Sequence, residues 1–364
     1  MSLVPLRPAS EEEAIGSHGA EEIFRIPAEP HPPITFLDTD GTRHQADPEA
    51  TYPVFGLVLR DATIYFPNVV SLPGGILLDA NTGYTSSELC DHGLPDYPLI
   101  RGGEASGIGL RTGTACAYHC SDPAGAICVA AQGNFSAWLL GELPRVLLAG
   151  KHVKDLRVIL HGDARPFHFD SLEDAGVTAD RIQHVPAGGH VRVDRLVWVT
   201  PTYFHRMPHP AGTREIARLD TASDRSDRPR IYASRSNPAV TMRRIVNEPA
   251  VEKLLEAWGF SVIRPELLSY RQQKGYAAGA KVFAAPFGAA LASTVFCREG
   301  SVVLHIATKF SFEFICLAAQ RNLHLVQVRT LRRKVRDEPS YSASHEFMIE
   351  PAELEKALAL AETL

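Results

Sequence analysis

Between Arg230 and Ile306, short apolar runs alternate with amphipathic ones in a regular order. The pattern predicts strand, basic loop, helix, strand, helix, strand, glycine turn, helix and strand, which is two consecutive βαβ units. Polar residues collect at the joints. Arg235, Ser236 and Asn237 follow Ile231-Tyr232-Ala233, while Arg243, Arg244, Asn247 and Glu248 precede a helix. Gly288-Ala289-Ala290 follows Val282-Phe283-Ala284. In an open parallel sheet, ligands bind beyond the strand C-termini, where loops and helix N-termini meet. An arginine-rich loop beside a small-residue turn at such an edge suits a phosphate-bearing ligand.

The first half of the chain carries a second alternation. Ala126 to Ala131 reads as a buried strand. Asn134 to Leu148 places Trp138, Leu139, Leu143, Val146 and Leu147 at helical spacing and closes on Gly150. Strands at Leu156–Leu160 and Leu196–Thr200, with a short helix over 171–176, complete a parallel α/β pattern. From Val54 to Tyr84, apolar and polar residues alternate between Gly and Pro breaks, predicting three or four short strands in a small antiparallel feature. Residues 85–115 read as a long glycine-rich loop over one face. The resulting division is an arm over 1–50, an α/β domain over 51–206, a second over 207–350, and a helix over 351–364. That last helix is expected to dock back across the first domain.

A chain of 364 residues exceeds one core and fits two domains of about 150 to 200 residues each. A net charge of −5 argues against a broadly nucleic-acid-binding surface, so no nucleic-acid partner is expected. Six cysteines are too few for a disulfide scaffold and read as reduced thiols. The start MSLVPLRPASEEEAIG has no apolar run, and no apolar stretch reaches about 18 residues. A cytoplasmic location is the expectation, one that allows peripheral membrane association and a homo-oligomer.

Several constellations admit two readings. The loop SRSNPAVTMRRIVNE can hold phosphate through Arg235 and Arg244, or be a solvated loop in which Asn247 caps the helix begun by Glu248. APFGAALAS can let a backbone approach a ligand closely, or pack a strand against a helix. In GNFSAWLLGELPR, Glu142 and Arg145 stand three apart and can pair, or Glu142 can serve as a general base. The histidines at 161–168 and at 205 and 209, and Cys116-Ala-Tyr-His119-Cys120, lack a clean ligand spacing. No metal and no cofactor is expected. No Walker-type loop and no GxSxG elbow occurs, which disfavours a nucleoside-triphosphatase and an α/β-hydrolase.

Four of these segments, in this order and spacing, resemble the family 61 glycosyltransferases, also called DUF563: GNFSAWLLGELPR, RIYASRSN with RRIVNE, LLEAWGFSVIRPELLSYRQQ, and AAPFGAALASTVFCREGSVV. The similarity spans roughly residues 50–350. It implies an α/β GT-B fold with two Rossmann-like domains facing a cleft, behind a small β-rich N-terminal segment. Residues 51–206 would be the acceptor side and 207–350 the nucleotide-sugar side. The implied activity is inverting transfer of a sugar from a nucleotide sugar, often UDP-linked, to a saccharide or other hydroxyl acceptor in surface-polysaccharide or glycan synthesis.

Carried over, the resemblance implies Asn134, Trp138 and Arg145 on the acceptor side, with Glu142 as the base. It implies Arg235, Asn237, Arg244, Asn247, Glu248, Glu266, Gln273, Gly288, Ala289 and Ala290 around the donor. Three positions depart from the family pattern. Ala137 and Phe287 stand where it has histidines, and His305 where it has glutamate. These departures keep a second reading open, a glycosyltransferase-like protein that binds without catalysing.

Overall fold

The computed structural model describes residues 3–8, 20–46, 51–65, 69–72, 76–79, 99–101, 108–111, 116–204, 207–219, 221–222, 224–237, 243–308, 311–333 and 346–364. Two compact units divide the chain: Met1–Glu29 with Thr51–Ile216, and Pro30–Ala50 with Ala217–Leu364. The expected arm is therefore shared. Glu21–Ile26 pairs antiparallel with Val54–Tyr65 in the first unit, while Ile34–Asp38 and Arg43–Ala46 extend the sheet of the second.

A twelve-stranded sheet forms the first unit. Ile182–Val185, Arg157–His161, Ala126–Ala130 and His190–Val199 lie side by side as parallel neighbours, and Val54–Tyr65 follows antiparallel to the last of them. The expected antiparallel feature forms as three strands, of which the first, Val54–Tyr65, is long rather than short and lies at the middle of this sheet. Val69–Leu72 and Ile76–Asp79 continue the sheet from it, and residues 80–84 lie outside the described residues. Leu57, Leu59, Ile64, Val191, Val193 and Leu196 are buried together and form its core. Of the loop expected over 85–115, Leu99–Arg101 and Ile108–Arg111 are strands, and the remainder lies outside the described residues.

Two of this unit's boundaries differ from the sequence reading for identifiable reasons. The strand expected at Leu196 begins at His190, because its first half alternates buried and exposed positions rather than running apolar. The domain boundary falls after Ile216, because helix Pro210–Ala217 buries Ala211 and Ile216.

In the second unit the strand order is Ser261–Ile263, Arg230–Ala233, Val282–Pro286, Val302–Ala307, His324–Arg333, Ile34–Asp38, Arg43–Ala46. Every pairing is parallel up to Ile34–Asp38. Arg230–Ala233 has its next strand in sequence on one side and Val282–Pro286 on the other. The order therefore reverses there, and such a switch point opens a crevice at the strand C-termini. Gly275 and Gly279 bring helix Tyr270–Gly279 against the backbone of Asp224 and Ser226. Cβ atoms at those glycines would stand 1.9 and 2.2 Å from the two carbonyl oxygens. The final helix, Pro351–Ala361, buries Leu354, Ala357 and Leu358 in this unit's core with Tyr232 and Val326. That placement corrects the expected docking across the first domain. The helix's apolar face matches this sheet, and each buried leucine contributes about 2 kcal/mol.

Among the described residues, no helix is long and apolar enough to cross a membrane.

Candidate active site

The switch point of the second unit gathers the basic residues. Arg235 follows strand Arg230–Ala233, and Gly288 follows Val282–Pro286, its neighbour in the sheet. The Arg235 Nη1 atom lies 2.5 Å from the position a Cβ at Gly288 would take, so the guanidinium rests where a side chain is missing. The φ of Gly288 is 163°, extended backbone that any residue adopts, so glycine is needed here for space rather than conformation. Ala289 and Ala290 open the tight helix Ala289–Phe296, whose first amides have no partner within the helix.

Arg243 joins Arg235. Its φ of 56° is left-handed, a conformation unusual for arginine, and it aims the side chain at Phe287. The guanidinium carbon sits 4.7 Å from the ring centroid, and Nη1 donates to the Phe287 carbonyl at 3.4 Å. Burial, then repulsion from Arg243, lowers the pKa of Arg235, which remains a cation at neutral pH. Two positive groups held close together define a place that favours an anion of more than one charge.

Behind Phe287, two of the departures from the family pattern are neighbours. The rings of Phe287 and His305 lie 6.2 Å apart, and Phe314 packs against both. His305 is wholly buried. Because Gln327 Nε2 donates to the Ala307 carbonyl at 3.1 Å, its Oε1 faces His305 Nδ1 at 2.7 Å and accepts that proton. Nε2 is then the unprotonated nitrogen, and burial holds the imidazole down to about 4. This pair is neutral at physiological pH.

Glu248 is 2% exposed and does not belong to a solvated loop. Its Oε1 accepts from Arg235 N at 2.6 Å, from Tyr232 Oη at 3.0 Å and lies 3.0 Å from Ser234 Oγ. Glu252 takes Ser234 Oγ at 2.6 Å and Ser236 Oγ at 2.7 Å. Burial raises the pKa of Glu248, against the hydrogen bonds from Arg235 and Tyr232 that hold it down. A carboxylate so engaged is turned toward its own loop and strand, an arrangement that argues against direct donor contact by Glu248.

Other expected donor residues fall in different places. Arg244 is exposed, and its carbonyl accepts from Phe347 N at 2.8 Å. The Asn247 amide donates to the Ile349 carbonyl at 2.7 Å and accepts from Ile349 N at 3.1 Å, so it fixes a strand instead of capping the helix. Gln273 Nε2 donates to the Leu268 carbonyl at 3.3 Å. Glu266 is exposed, and its charge acts on Arg235. Asn237 is half-buried two residues beyond Arg235. Among adjacent arginines, Arg243 rather than Arg244 reaches the crevice. The sequence carries no signal that separates the two, because the left-handed turn at Arg243 makes the choice.

In the first unit, Asn134 caps its helix by accepting from Ser136 N at 2.9 Å and Ala137 N at 3.5 Å. Trp138 Nε1 donates to Ser171 Oγ at 2.8 Å, which makes it a core residue. Pro144 lacks an amide proton, and ahead of it the helix widens into a π-turn over Trp138–Glu142, with Leu143 N donating to the Trp138 carbonyl. The Gly141 carbonyl accepts from Thr202 Oγ1 at 2.9 Å. Glu142 and Arg145 are 0% and 1% exposed and meet at 2.8 Å, while Arg145 Nε donates to the Val199 carbonyl at 3.0 Å. Burial raises the Glu142 carboxyl, and contacts with Arg145, Gln132 and Ala130 oppose it. A base must come within hydrogen-bond reach of the hydroxyl it serves. Glu142 is sealed inside the unit, so its geometry is that of a buried ion pair.

The histidines of the first unit are also structural. His168 Nδ1 accepts from Arg165 N at 2.7 Å and Nε2 donates to the Gln132 carbonyl at 3.0 Å, which ties two strand-end loops together. His161 Nε2 donates to the Gly189 carbonyl at 3.0 Å. His209 Nε2 bonds the Tyr52 carbonyl at 2.9 Å, and His205 lies outside the described residues. Among the described residues, no three His, Cys, Asp or Glu side chains group as a metal site requires.

The second unit is thus an α/β domain whose parallel sheet reverses order at a crevice flanked by Arg235, Arg243 and the glycine turn at Gly288. The Glycosyltransferase 61 family pattern matches residues 65–304. The chain belongs to that family and is a glycosyltransferase. No curated protein matches it.

Proposed function

We propose that this protein is an inverting glycosyltransferase of GT-B architecture. It would take a sugar from a UDP-linked donor and deliver it to a hydroxyl of a saccharide acceptor, in the assembly of a surface polysaccharide or glycan. The observation that carries this reading is the Arg235 guanidinium seated over Gly288 with Arg243 beside it. When the bond from the anomeric carbon to the donor phosphate breaks, its electron pair and the new negative charge go to the diphosphate. Two fixed guanidinium groups and the amides at Gly288–Ala290 stabilise that charge, and preorganised charge stabilisation usually lowers a barrier more than any other single effect. The acceptor oxygen attacks the opposite face of the anomeric carbon and gives its proton to a base. The burial of Glu142 argues against that residue in the role.

A second reading, a glycosyltransferase-like protein that binds donor without turning it over, draws support from the neutral aromatic pair Phe287 and His305. Thermal-shift screening against UDP-, GDP-, CMP- and dTDP-sugars tests donor binding, since a ligand of the folded state raises the melting temperature. Release of nucleotide diphosphate from the stabilising donor separates the readings. Release supports the transferase, and binding without release supports the second.

A further inference from the structure

The Arg235 guanidinium can serve an anion only if the loop that carries it keeps one conformation, and nothing about that loop is rigid by itself. Ser234, Arg235 and Ser236 lie beyond the end of strand Arg230–Ala233, and Ser236 N turns back to donate to Ser234 Oγ at 2.9 Å. What holds them is a pair of acids one helical turn apart on Glu248–Ala257. Glu248 receives the backbone amide of Arg235 itself, at 2.6 Å, and is anchored from below by Tyr232 Oη at 3.0 Å. Glu252 receives both serine hydroxyls, and Arg264 faces it at 3.6 Å.

This arrangement is costly unless it fixes something. Two carboxylates stand close enough that Glu252 raises the pKa of Glu248, and Glu248 is buried besides. Buried acids are kept where their hydrogen bonds are satisfied and impose one arrangement on the groups that donate to them.

We propose that Glu248 is a positioning residue, acting on the donor only through Arg235 by clamping that residue's backbone amide so that its guanidinium stays over Gly288. The inference rests on the reading of the crevice as a donor diphosphate site. Glu248 touches no ligand, and Tyr232 serves it as the strut that fixes the carboxylate.

A double-mutant cycle with UDP as the probe, read by calorimetry on the full chain, tests this. Glu248→Ala should weaken UDP roughly tenfold, close to the effect of Arg235→Ala, since hydrogen bonds to charged groups are of that size. In the Arg235→Ala background, the same substitution should then change UDP affinity by less than twofold, because nothing is left for the clamp to position. Glu248→Gln, which keeps an acceptor oxygen of the same reach, should restore most of the affinity, and Tyr232→Phe, which removes the hydroxyl that fixes the carboxylate, should weaken UDP in the same direction and stands in should the alanine variant fail to fold. With any donor that turns over, the loss should appear in kcat as well as in KM, because the guanidinium also stabilises the charge that develops on the departing diphosphate. Equal weakening by Glu248→Ala in both backgrounds would overturn the proposal, as would undiminished UDP affinity in the single variant. A wild-type protein that binds no UDP would overturn the site reading and this inference with it. Binding that Arg235→Ala abolishes and Glu248→Ala leaves intact would overturn the clamp alone.

Discussion

Arg235 and Gly288 occupy one space: the arginine Nη1 atom stands 2.5 Å from the point where a Cβ at Gly288 would lie. The contact joins the loops that follow two adjacent parallel strands. It also separates ligand binding from stability. The obstructed atom is the tip of a flexible side chain and the backbone at Gly288 is extended, so Gly288→Ala should fold with a melting temperature within a few degrees of wild type. The guanidinium, pushed aside, should hold UDP about tenfold less tightly, a loss of roughly 1.4 kcal/mol. Calorimetric titration of UDP beside a thermal melt checks both halves of that expectation.

The adjacent arginines give a sharper comparison. Arg243 stacks on Phe287 next to Arg235, whereas Arg244 is exposed. Arg243→Ala should reduce UDP affinity about tenfold, in line with the loss of one charge-assisted contact. Arg244→Ala should change it less than twofold. Equal effects of the two would mean that the left-handed turn does not select between them in solution.

Glu142 and Arg145 form a buried ion pair, and removing one member leaves the other charged without compensation. Such losses cost about 3–5 kcal/mol, so Arg145→Ala should unfold at a much lower urea concentration than wild type. Glu142→Gln should cost less, because the amide oxygen can still accept from Arg145. If Glu142 is not the base, the glutamine variant should retain most of the wild-type rate of donor turnover per folded molecule. A loss of turnover by orders of magnitude in a folded Glu142→Gln protein would return the catalytic role to it.

Acid should destabilise this protein earlier than its carboxylates alone would dictate. Burial holds His161, His168 and His305 each down to about 4 in the folded state, from an ordinary value near 6.5. The unfolded chain therefore takes up protons on these residues first. Their contribution is fully present above about pH 6.5 and is lost as pH falls toward 4. Glu142 and Glu248, whose carboxyls are raised, work in the opposite sense and oppose the loss as pH falls through their folded-state values. Urea midpoints at several pH values from about 7.5 to 4.5 should fall monotonically, and an unchanged midpoint between about 6.5 and 5 would contradict the assignment.

Local pattern was enough to read the second unit from Arg230 to Ile306. Its central strands Val282–Pro286 and Val302–Ala307 are fully buried apolar runs and its helices carry one apolar face, so each element announces itself within a short window. The hairpin Ile34–Asp38 with Arg43–Ala46 is equally local, turning on Asp40-Gly41 with Gly41 at φ 84°. Its place in the second unit's sheet is not, because the pairing of Leu37 with Val326 and of Asp38 with Gln327 decides it. The same limit applies at the site. Arg235 and Gly288 could be named from the sequence, since the residue after a strand end is fixed by the strand. Glu248 could be named too, but its task could not. Whether a carboxylate faces a ligand or a backbone amide depends on the register of its helix against the sheet. In the first unit, Pro144 signals a helix irregularity, yet nothing local marks Glu142 as sealed, because the contact between Arg145 and Val199 that closes over it spans distant parts of the chain.

Strand Ile34–Asp38, set between His324–Arg333 and Arg43–Ala46, carries a cost in time. One of its two sheet neighbours, His324–Arg333, comes from the far end of the chain, as does Gln320, which meets His31 across 289 residues. At a ribosomal pace of about 5–20 residues per second, this strand waits roughly a quarter of a minute to a minute for the strand it will join. Arg43–Ala46 covers one of its edges from the start. The other edge stays open throughout that interval, and an open strand edge is a template for pairing with another chain.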